Sequence, residues 1–423
     1  MTRAEGDAGD TAPGRPWSGS ARRASWGLVD QTLSSLTNFA VFVLVARSVS
    51  PSELGAFSLG FALYLLMVDA VRSVALEPML VRSSDAGASG HRASASAVTG
   101  LAVATGAAVG AVALGVGLLL GGTAGMVLIP LGLALPGLLL QDAWRGVFFA
   151  RGRPALAAAN DLVWAVGQVV AVGAVIAFGL TGPAMLVAAW GAAGTFAGLF
   201  GIVQSRDWPR PSQSLAWFRL HRDLGVRFGA EFAAIRGSNQ ANLLILGAVT
   251  GLAAVGTFRA SLVLMNPTNI ISLAVPLIAI PEAVRHMHHS EGRLTIVART
   301  VTVSVSLLIA VWGAIVLALP SSIGTAFLGQ SWAGARVLLP AVVVRNVADG
   351  LSTGAMVGLR ARANAKASLR VQLIVTALVM TLGPIGIVTN GASGLAWALA
   401  AVSVAGVVIW WWTFTRTKRS DGV

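Results

Sequence analysis

The chain has 423 residues, of which 55% are hydrophobic and 11% are charged, and its mean hydropathy is +0.76. Soluble domains need about a quarter of their residues charged, so this composition excludes an ordinary soluble protein and indicates an integral membrane protein. The formal net charge is +13, and the absence of cysteine excludes disulfides, thiolate chemistry and cysteine metal sites.

Apolar segments follow one another along most of the chain. Residues 1–25 lack an apolar run, so they are predicted to be a disordered cytoplasmic tail and not a cleaved signal peptide. The later segments are about 20 residues long, which suits helices across about 30 Å of hydrocarbon and not a β-barrel. We predict an all-α fold with about twelve transmembrane helices, near 28–46, 57–77, 95–120, 126–149, 156–179, 183–204, 229–249, 253–280, 298–319, 337–359, 367–388 and 394–414.

The distribution of arginine between the predicted loops indicates the orientation. If the amino terminus is inside, the inner loops carry nearly all the basic residues, and the outer loops hold only Arg47 and Arg336. Such asymmetry over short loops predicts that both termini are cytoplasmic. The basic charge is then a matter of topology, which disfavours a nucleic-acid partner.

The longest inner connection divides the spans six and six, and its mixture of arginine and aromatic residues predicts a helix on the membrane surface. The predicted units are a tail at 1–25, an N-terminal bundle at 26–204, a cytoplasmic amphipathic linker at 205–227, a C-terminal bundle at 228–414 and a basic cytoplasmic tail at 415–423.

A weak internal repeat supports this division. Residues 38–60 align without a gap with 239–261, which places Gly55 on Gly256. Both halves would begin on the inner side, so we predict two parallel six-helix repeats around a central cavity, with a site between them.

Enzyme signatures are absent from the sequence. It contains neither a GxxxxGK[ST] phosphate loop nor an HExxH zinc helix, and all five histidines fall in predicted inner loops. We therefore assign no catalytic residue, metal or cofactor.

Charged residues inside predicted spans are the most informative positions. Three pairs of opposite charge stand three or four residues apart: Asp69–Arg72, Asp142–Arg145 and Arg345–Asp349. Such spacing places both partners on one helix face, where they either hold the bundle together or line a polar path. We favour a structural role for the second pair and a cavity-lining role for the third, and leave both roles open for the first.

Arginines without a nearby acid point to an anionic substrate. Arg236 and Arg259 have no acid three or four residues away, and together with Arg345 they are staggered across the predicted membrane. Guanidinium groups bind phosphate and carboxylate bidentately, so the predicted substrate-binding set is Arg236, Arg345, Arg259 and Arg72.

The alternative is that each arginine meets an acid on another helix. The acids that could serve for such pairing, or for ion coupling, are Asp349, Glu231, Asp69, Asp30 and Asp161. The polar start of the seventh span predicts that Asn239, Gln240 and Asn242 line the cavity.

Four motifs carry a family resemblance. They are A-R-S-V-S-P-S-E-L-G-A-F-S-L at 46–59, E-P-M-L-V-R at 77–82, F-x-A-R-G-R-P-A at 148–155 and L-G-Q-S-W-x-x-A at 328–335. With two parallel six-helix halves, the chain past residue 25 resembles the Wzx-like polysaccharide flippases of the multidrug/oligosaccharidyl-lipid/polysaccharide exporter superfamily.

The resemblance implies transfer of an undecaprenyl-pyrophosphate-linked oligosaccharide from the cytoplasmic to the outer leaflet of a bacterial plasma membrane by alternating access. It also implies a proton or cation gradient as a driving force, and polysaccharide polymerase and glycosyltransferases as partners. The resemblance does not match Arg236, Arg259 or Arg345 to a substrate residue found throughout the family. The prediction that these three bind substrate therefore depends on their charge and depth in the membrane alone.

Three other functions remain open at this point. A cation-coupled multidrug exporter of the same superfamily should favour acids and aromatic residues in its cavity, whereas this chain has unpaired arginines and one tyrosine, Tyr64. A membrane glycosyltransferase or polymerase usually has a large charged outer loop, whereas the longest one here, near 320–336, is short and nearly uncharged. A non-catalytic scaffold would leave the buried charges without a purpose.

Overall fold

The computed structural model describes residues 35–82, 88–235, 237–268, 291–362 and 364–417, with isolated positions between 271 and 284. Every regular element in this part of the chain is helical. Four of the predicted site positions lie outside it: Asp30 and Arg236 altogether, and Glu231 and Asn239 in their side chains.

The described helices follow one another with short connections. They are α1 (Ser35–Ser48), α2 (Pro51–Arg82), α3 (Ala88–Leu120), α4 (Gly122–Ala150), α5 (Pro154–Ala177), α6 (Pro183–Ser205), α7 (Pro211–Ile235), α8 (Gly237–Thr250), α9 (Leu252–Val263), α10 (Glu291–Leu317), α11 (Ser321–Leu328), α12 (Trp332–Ala361) and α13 (Ala365–Arg416). Eight helical segments of the described chain, with α11 and α12 taken together, are long and apolar enough to cross a membrane. The prediction of an all-α, multi-pass membrane protein is confirmed.

The last helix, α13, is bent into two antiparallel arms. Its 52 residues would extend about 78 Å as one straight helix, far more than a bilayer needs. Asn390 and Gly391 leave the helical conformation, and Gly391 has a φ of +54°, which favours glycine. The guanidinium of Arg362, just before α13, donates to the carbonyls of Phe414 (2.6 Å) and Thr417 (2.5 Å). The end of α13 therefore returns to the level where it began.

The turn between α1 and α2 has a strong local signal. Ser50 accepts a hydrogen bond from the Glu53 amide (3.3 Å), and the Glu53 carboxylate accepts one from the Ser50 amide (2.9 Å). Pro51 occupies the first helical position, where its missing N–H costs nothing. This capping box starts α2 immediately after the turn.

The helices before α7, which we call the first half, contact those after it, the second half, where α2 crosses α9 through two glycines. A Cβ on Gly55 would lie 1.8 Å from the Leu252 carbonyl oxygen, and one on Gly256 would lie 2.0 Å from the Pro51 carbonyl oxygen. The repeat that aligns Gly55 with Gly256 also aligns Pro51 with Leu252, so the two contacts are reciprocal. Reciprocal contacts of equivalent residues are what a two-fold axis produces.

Helix α7 is anchored to the first half. Asp207, just before α7, accepts from Arg151 (2.5 Å) and pairs with Arg92 (3.2 Å). The Arg210 amide donates a hydrogen bond to the Ser96 carbonyl of α3 (2.8 Å), and the Ser214 hydroxyl donates one to the Ala97 carbonyl (2.9 Å). The helix runs without a break from the predicted linker into the region expected to form the seventh span.

Candidate functional site

A pocket lies between the two halves, close to the α2–α9 crossing. Helices α1, α2 and α6 supply one wall, and α9 with the residues just after it supplies the other. The lining residues are Asn38, Val41, Phe42, Phe57, Phe61, Trp190, Arg259, Val263 and Asn266, around about 350 Å³ of empty space. We call it the Arg259 pocket.

Arg259 is a cation without a counter-charge in this pocket. Within the described residues its guanidinium makes no hydrogen bond or ion pair, and its buried Nε has no acceptor. The guanidinium makes cation–π contacts with two aromatic rings. Its central carbon lies 5.4 Å from the ring centroid of Phe61 and 5.8 Å from that of Phe42. Cation–π contacts are worth about 0.5–2 kcal/mol each, which offsets only part of the cost of burying a charge. An anion placed here would supply the rest.

Tight packing holds the aromatic wall in place. Trp190 is 2% exposed, and its ring lies 5.7 Å from Phe61 and 6.4 Å from Phe57 between centroids. Tyr64, a further 5.1 Å from Trp190, extends the cluster into the core of the first half. Because these rings are already ordered by one another, a ligand would meet a preorganised surface.

The Arg345–Asp349 pair is a separate feature on α12. Its Nε–Oδ2 distance is 3.9 Å, long for an ion pair, and the Asp349 side chain is 57% exposed although it lies well inside an apolar helical segment. Ser403 of the second arm of α13 is within hydrogen-bonding reach of that carboxylate. Neither residue lines the Arg259 pocket.

Cross-helix ion pairs characterise the first half. Arg72 binds Asp142 of α4 bidentately, with Nε–Oδ2 at 2.9 Å and the second bond from Nη2 to Oδ1. Asp69, three residues before Arg72, is 3.8 Å from the same guanidinium. The contact with Asp142 is the closer one because it can use two parallel hydrogen bonds.

Arg145 pairs across helices as well. It lies 3.3 Å from Asp161 of α5, and the Gln141 amide donates to the same carboxylate at 2.7 Å. The sequence analysis favoured a structural role for Asp142 and Arg145, and both residues take part in ion pairs that join neighbouring helices. Each residue finds its partner on a neighbouring helix, where the carboxylate is 5–6% exposed and desolvated.

The predicted polar residues of α8 lie elsewhere. Asn242 is buried and donates to the Ser238 carbonyl (3.2 Å) and to the Val379 carbonyl of α13 (3.3 Å), so it joins two helices. Gln240 is half-buried. Neither is part of the Arg259 pocket.

Sequence reasoning missed most of the pocket wall. Asn38, Phe42, Phe61 and Asn266 were not among the predicted site residues, although they surround Arg259. One signal was present, because Asn38 begins the aligned repeat and is a polar residue within a predicted span.

The fold of this chain is similar to that of known membrane transporters. No family model matches the sequence, and no curated protein matches it. Among solved structures, the chain is similar to the lipid II flippase MurJ in an inward closed conformation, with a TM-score of 0.71 and 13% identity over 92% of this chain and 87% of that one. The chain has the fold of the transporters of the multidrug/oligosaccharidyl-lipid/polysaccharide (MOP) superfamily.

Two solved structures of a multidrug resistance MATE family transporter of the MOP superfamily show the same likeness. The TM-score is 0.68 to the inward-facing one, at 13% identity over 93% of this chain and 99% of that one. It is 0.63 to the outward-facing one, at 12% identity over 94% of this chain and 95% of that one. At these identities the comparison establishes the MOP fold, and function rests on the residues.

Proposed function

We propose that this protein is a flippase that moves a polyprenyl-pyrophosphate-linked oligosaccharide from the cytoplasmic to the outer leaflet of a bacterial plasma membrane. The transported molecule serves cell-surface polysaccharide synthesis. The observation that carries this proposal is Arg259, a half-buried arginine whose buried Nε has no acceptor and whose guanidinium has no counter-charge among the described residues, in a pocket built by both halves. The protein acts as a transporter and not as an enzyme.

The proposed layout has twelve transmembrane helices in two parallel six-helix repeats, with both termini in the cytoplasm. Support comes from the eight described segments that can cross a membrane and from the two arms of α13. The reciprocal contact of Gly55 and Gly256 supports the two-fold relation of the repeats. In this orientation, the crossing of α2 and α9 closes the outer side.

A pocket with walls from both halves has an affinity that depends on conformation. Phe42, Phe61 and Trp190 belong to the first half, whereas Arg259 and Asn266 belong to the second. Separation of the halves on the outer side would pull these walls apart and expose the bound anion to water. A ligand that binds one conformation better than another shifts the population between them, which is the basis of alternating access.

The positive charge of Arg259 favours an anionic lipid-linked glycan over a cationic drug as the substrate. A cationic drug in the Arg259 pocket would meet a guanidinium that has no acid within the described residues to neutralise it. Like charges in a desolvated site repel, whereas a phosphate or carboxylate accepts hydrogen bonds from the same group. The multidrug alternative therefore has no specific observation in its favour.

Arg259→Gln tests this proposal in a strain that exports polysaccharide only through this protein. Loss of a charge-assisted hydrogen bond costs about 1.5–3 kcal/mol, so export should fall at least about tenfold. Arg345→Gln, at a position outside the Arg259 pocket, should also reduce export if its side chain lines the substrate path. Arg299→Gln, at an exposed position on α10, is the matched control and should export normally. Full export by Arg259→Gln, at normal membrane abundance, would refute the proposal.

A further inference from the structure

We propose that the Arg259 pocket binds a single sugar ring that carries one negative charge, such as a uronic-acid carboxylate, and not the diphosphate of the lipid carrier. This inference rests on the proposed function and specifies which part of the substrate the pocket holds.

Charge balance within the pocket is the first reason. Arg259 is the sole charged residue among its nine lining residues. A substituted diphosphate has at least two negative charges, so one guanidinium would leave charge uncompensated in a desolvated site, at a cost of several kcal/mol. A carboxylate has one negative charge, and its two oxygens match the fork of the guanidinium.

The composition of the walls is the second reason. Phe42, Phe57, Phe61 and Trp190 present aromatic carbon, whose negative ring faces attract the polarised C–H groups of a sugar ring. A diphosphate has no C–H groups and would gain nothing from such walls. The amides of Asn38 and Asn266 add donors and acceptors suited to hydroxyl groups.

The position of the rings relative to the cation is the third reason. Phe42 and Phe61 both lie within 6 Å of the Arg259 guanidinium, at 5.8 and 5.4 Å. A ligand that pairs with Arg259 therefore brings its neighbouring atoms against an aromatic surface. In a uronic acid the carboxylate is attached directly to the ring, so one residue can satisfy both contacts at once.

The size of the pocket sets the limit of the ligand. The enclosed part of the pocket is about 30 Å³, which has room for a small group such as a carboxylate, and the total of about 350 Å³ includes space open to solvent. The carboxylate would therefore occupy the enclosed part beside Arg259, and its sugar ring would lie at the open mouth against the aromatic residues. The rest of the glycan and the diphosphate would lie outside the Arg259 pocket, along the interface between the halves.

Two substrates that differ at one group test this inference. They are a polyprenyl-diphosphate disaccharide with a glucuronate residue and the same molecule with that carboxylate as its methyl ester. Binding of each to the full-length protein in phosphatidylcholine nanodiscs would be measured by native mass spectrometry. The wild-type protein should bind the acid at least about tenfold more tightly than the ester, because one charge-assisted interaction is lost. Arg259→Gln should bind both with the affinity of the ester, whereas Arg259→Lys should keep part of the preference.

The outcomes separate this inference from the proposed function. Equal affinities for acid and ester in the wild-type protein would overturn the inference, and so would an equal loss of both in Arg259→Gln, because the shared diphosphate would then be the group that Arg259 binds. Leaflet transfer of the two molecules is measured in parallel. Failure to transfer either refutes the flippase, while the ratio of affinities still decides what the Arg259 pocket recognises. Thermal unfolding of each variant shows that it is folded.

Discussion

Charged side chains within the membrane helices differ by whether they have a partner. Arg72 and Arg145 each meet a nearly buried aspartate on a neighbouring helix, which neutralises both members of the pair. Arg259 contacts two aromatic rings and has no acid as a partner among the described residues. Buried ion pairs hold helices in register, whereas an arginine inside the membrane without a counter-charge is a candidate site for an anion. At the residue scale we therefore expect a structural role for the first two arginines and a binding role for the third.

The Arg72–Asp142 pair predicts a specific pattern of stability. Arg72→Met leaves a buried aspartate without its partner and should cost about 3–5 kcal/mol of unfolding free energy. The double variant Arg72→Met/Asp142→Leu should recover most of this loss, because no charge remains buried. Thermal unfolding in detergent and abundance in the membrane measure both effects.

The exposed Arg82–Asp223 pair, at 2.5 Å, provides the matched control. Arg82→Met should cost about 0–1 kcal/mol, because solvent screens both partners. A stable Arg72→Met/Asp142→Leu variant that no longer exports polysaccharide would contradict a purely structural role. It would support the sequence-based prediction that Arg72 contacts substrate.

We expect the contact of α2 with α9 to control separation of the halves. Gly55 and Gly256 allow the two backbones to approach so closely that a side chain on either would overlap a carbonyl oxygen of the other helix. The residues that line the Arg259 pocket follow these glycines on both helices. At the element scale, closure of this crossing and formation of the pocket are therefore coupled.

Gly55→Ala and Gly256→Ala should each open the outer side. The added methyl group would lie 1.8–2.0 Å from a backbone oxygen, so α2 and α9 must move apart. The chain has no cysteine, so Val263→Cys, at a position 1% exposed in the pocket wall, can report access to a membrane-impermeant maleimide added outside. Its labelling rate should rise several-fold in either alanine variant.

Gly115→Ala is the control for this experiment, because a Cβ there has no atom within 4 Å. Its labelling rate should equal that of the parent protein. Unchanged labelling in both Gly55→Ala and Gly256→Ala would show that the crossing does not gate the pocket.

Local patterns predicted the helical elements well. The predicted spans 367–388 and 394–414 match the two arms of α13, because the polar turn residues between them interrupt the apolar pattern. The repeat register predicted that Gly55 and Gly256 are equivalent, although not that they touch. These features depend on residues close in sequence or on a short alignment.

The partners of the buried charges could not be predicted in the same way. The three-residue spacing suggested that Asp142 pairs with Arg145. The packing of α2 against α4 instead brings Arg72 to Asp142, where it donates a hydrogen bond to the carboxylate. The aromatic wall of the Arg259 pocket was also missed, because Phe and Trp are common in membrane helices wherever they face. Which of them surround one arginine depends on how the two halves meet.

At the scale of the whole molecule, the two halves make a close contact beside the pocket that we propose binds an anion. The MOP fold, the reciprocal glycine contact and the Arg259 pocket at the interface each concern the relation between the halves. A transporter of this kind needs an affinity that changes as the halves rock, and a pocket shared between them provides it. The direction of transport then follows from which side opens after the anion has bound.

Leaflet transfer in proteoliposomes tests the flippase function most directly. The purified full-length protein would be reconstituted with a fluorescent polyprenyl-diphosphate oligosaccharide that contains one glucuronate residue, placed in the inner leaflet, and its arrival in the outer leaflet would be followed by quenching with dithionite. We expect wild-type protein to transfer the lipid-linked glycan at a rate at least about tenfold above that of Arg259→Gln, in line with the loss of a charge-assisted contact. Transfer no faster than in protein-free vesicles, combined with transport of a cationic dye such as ethidium by the same preparation, would contradict the flippase and identify a drug exporter.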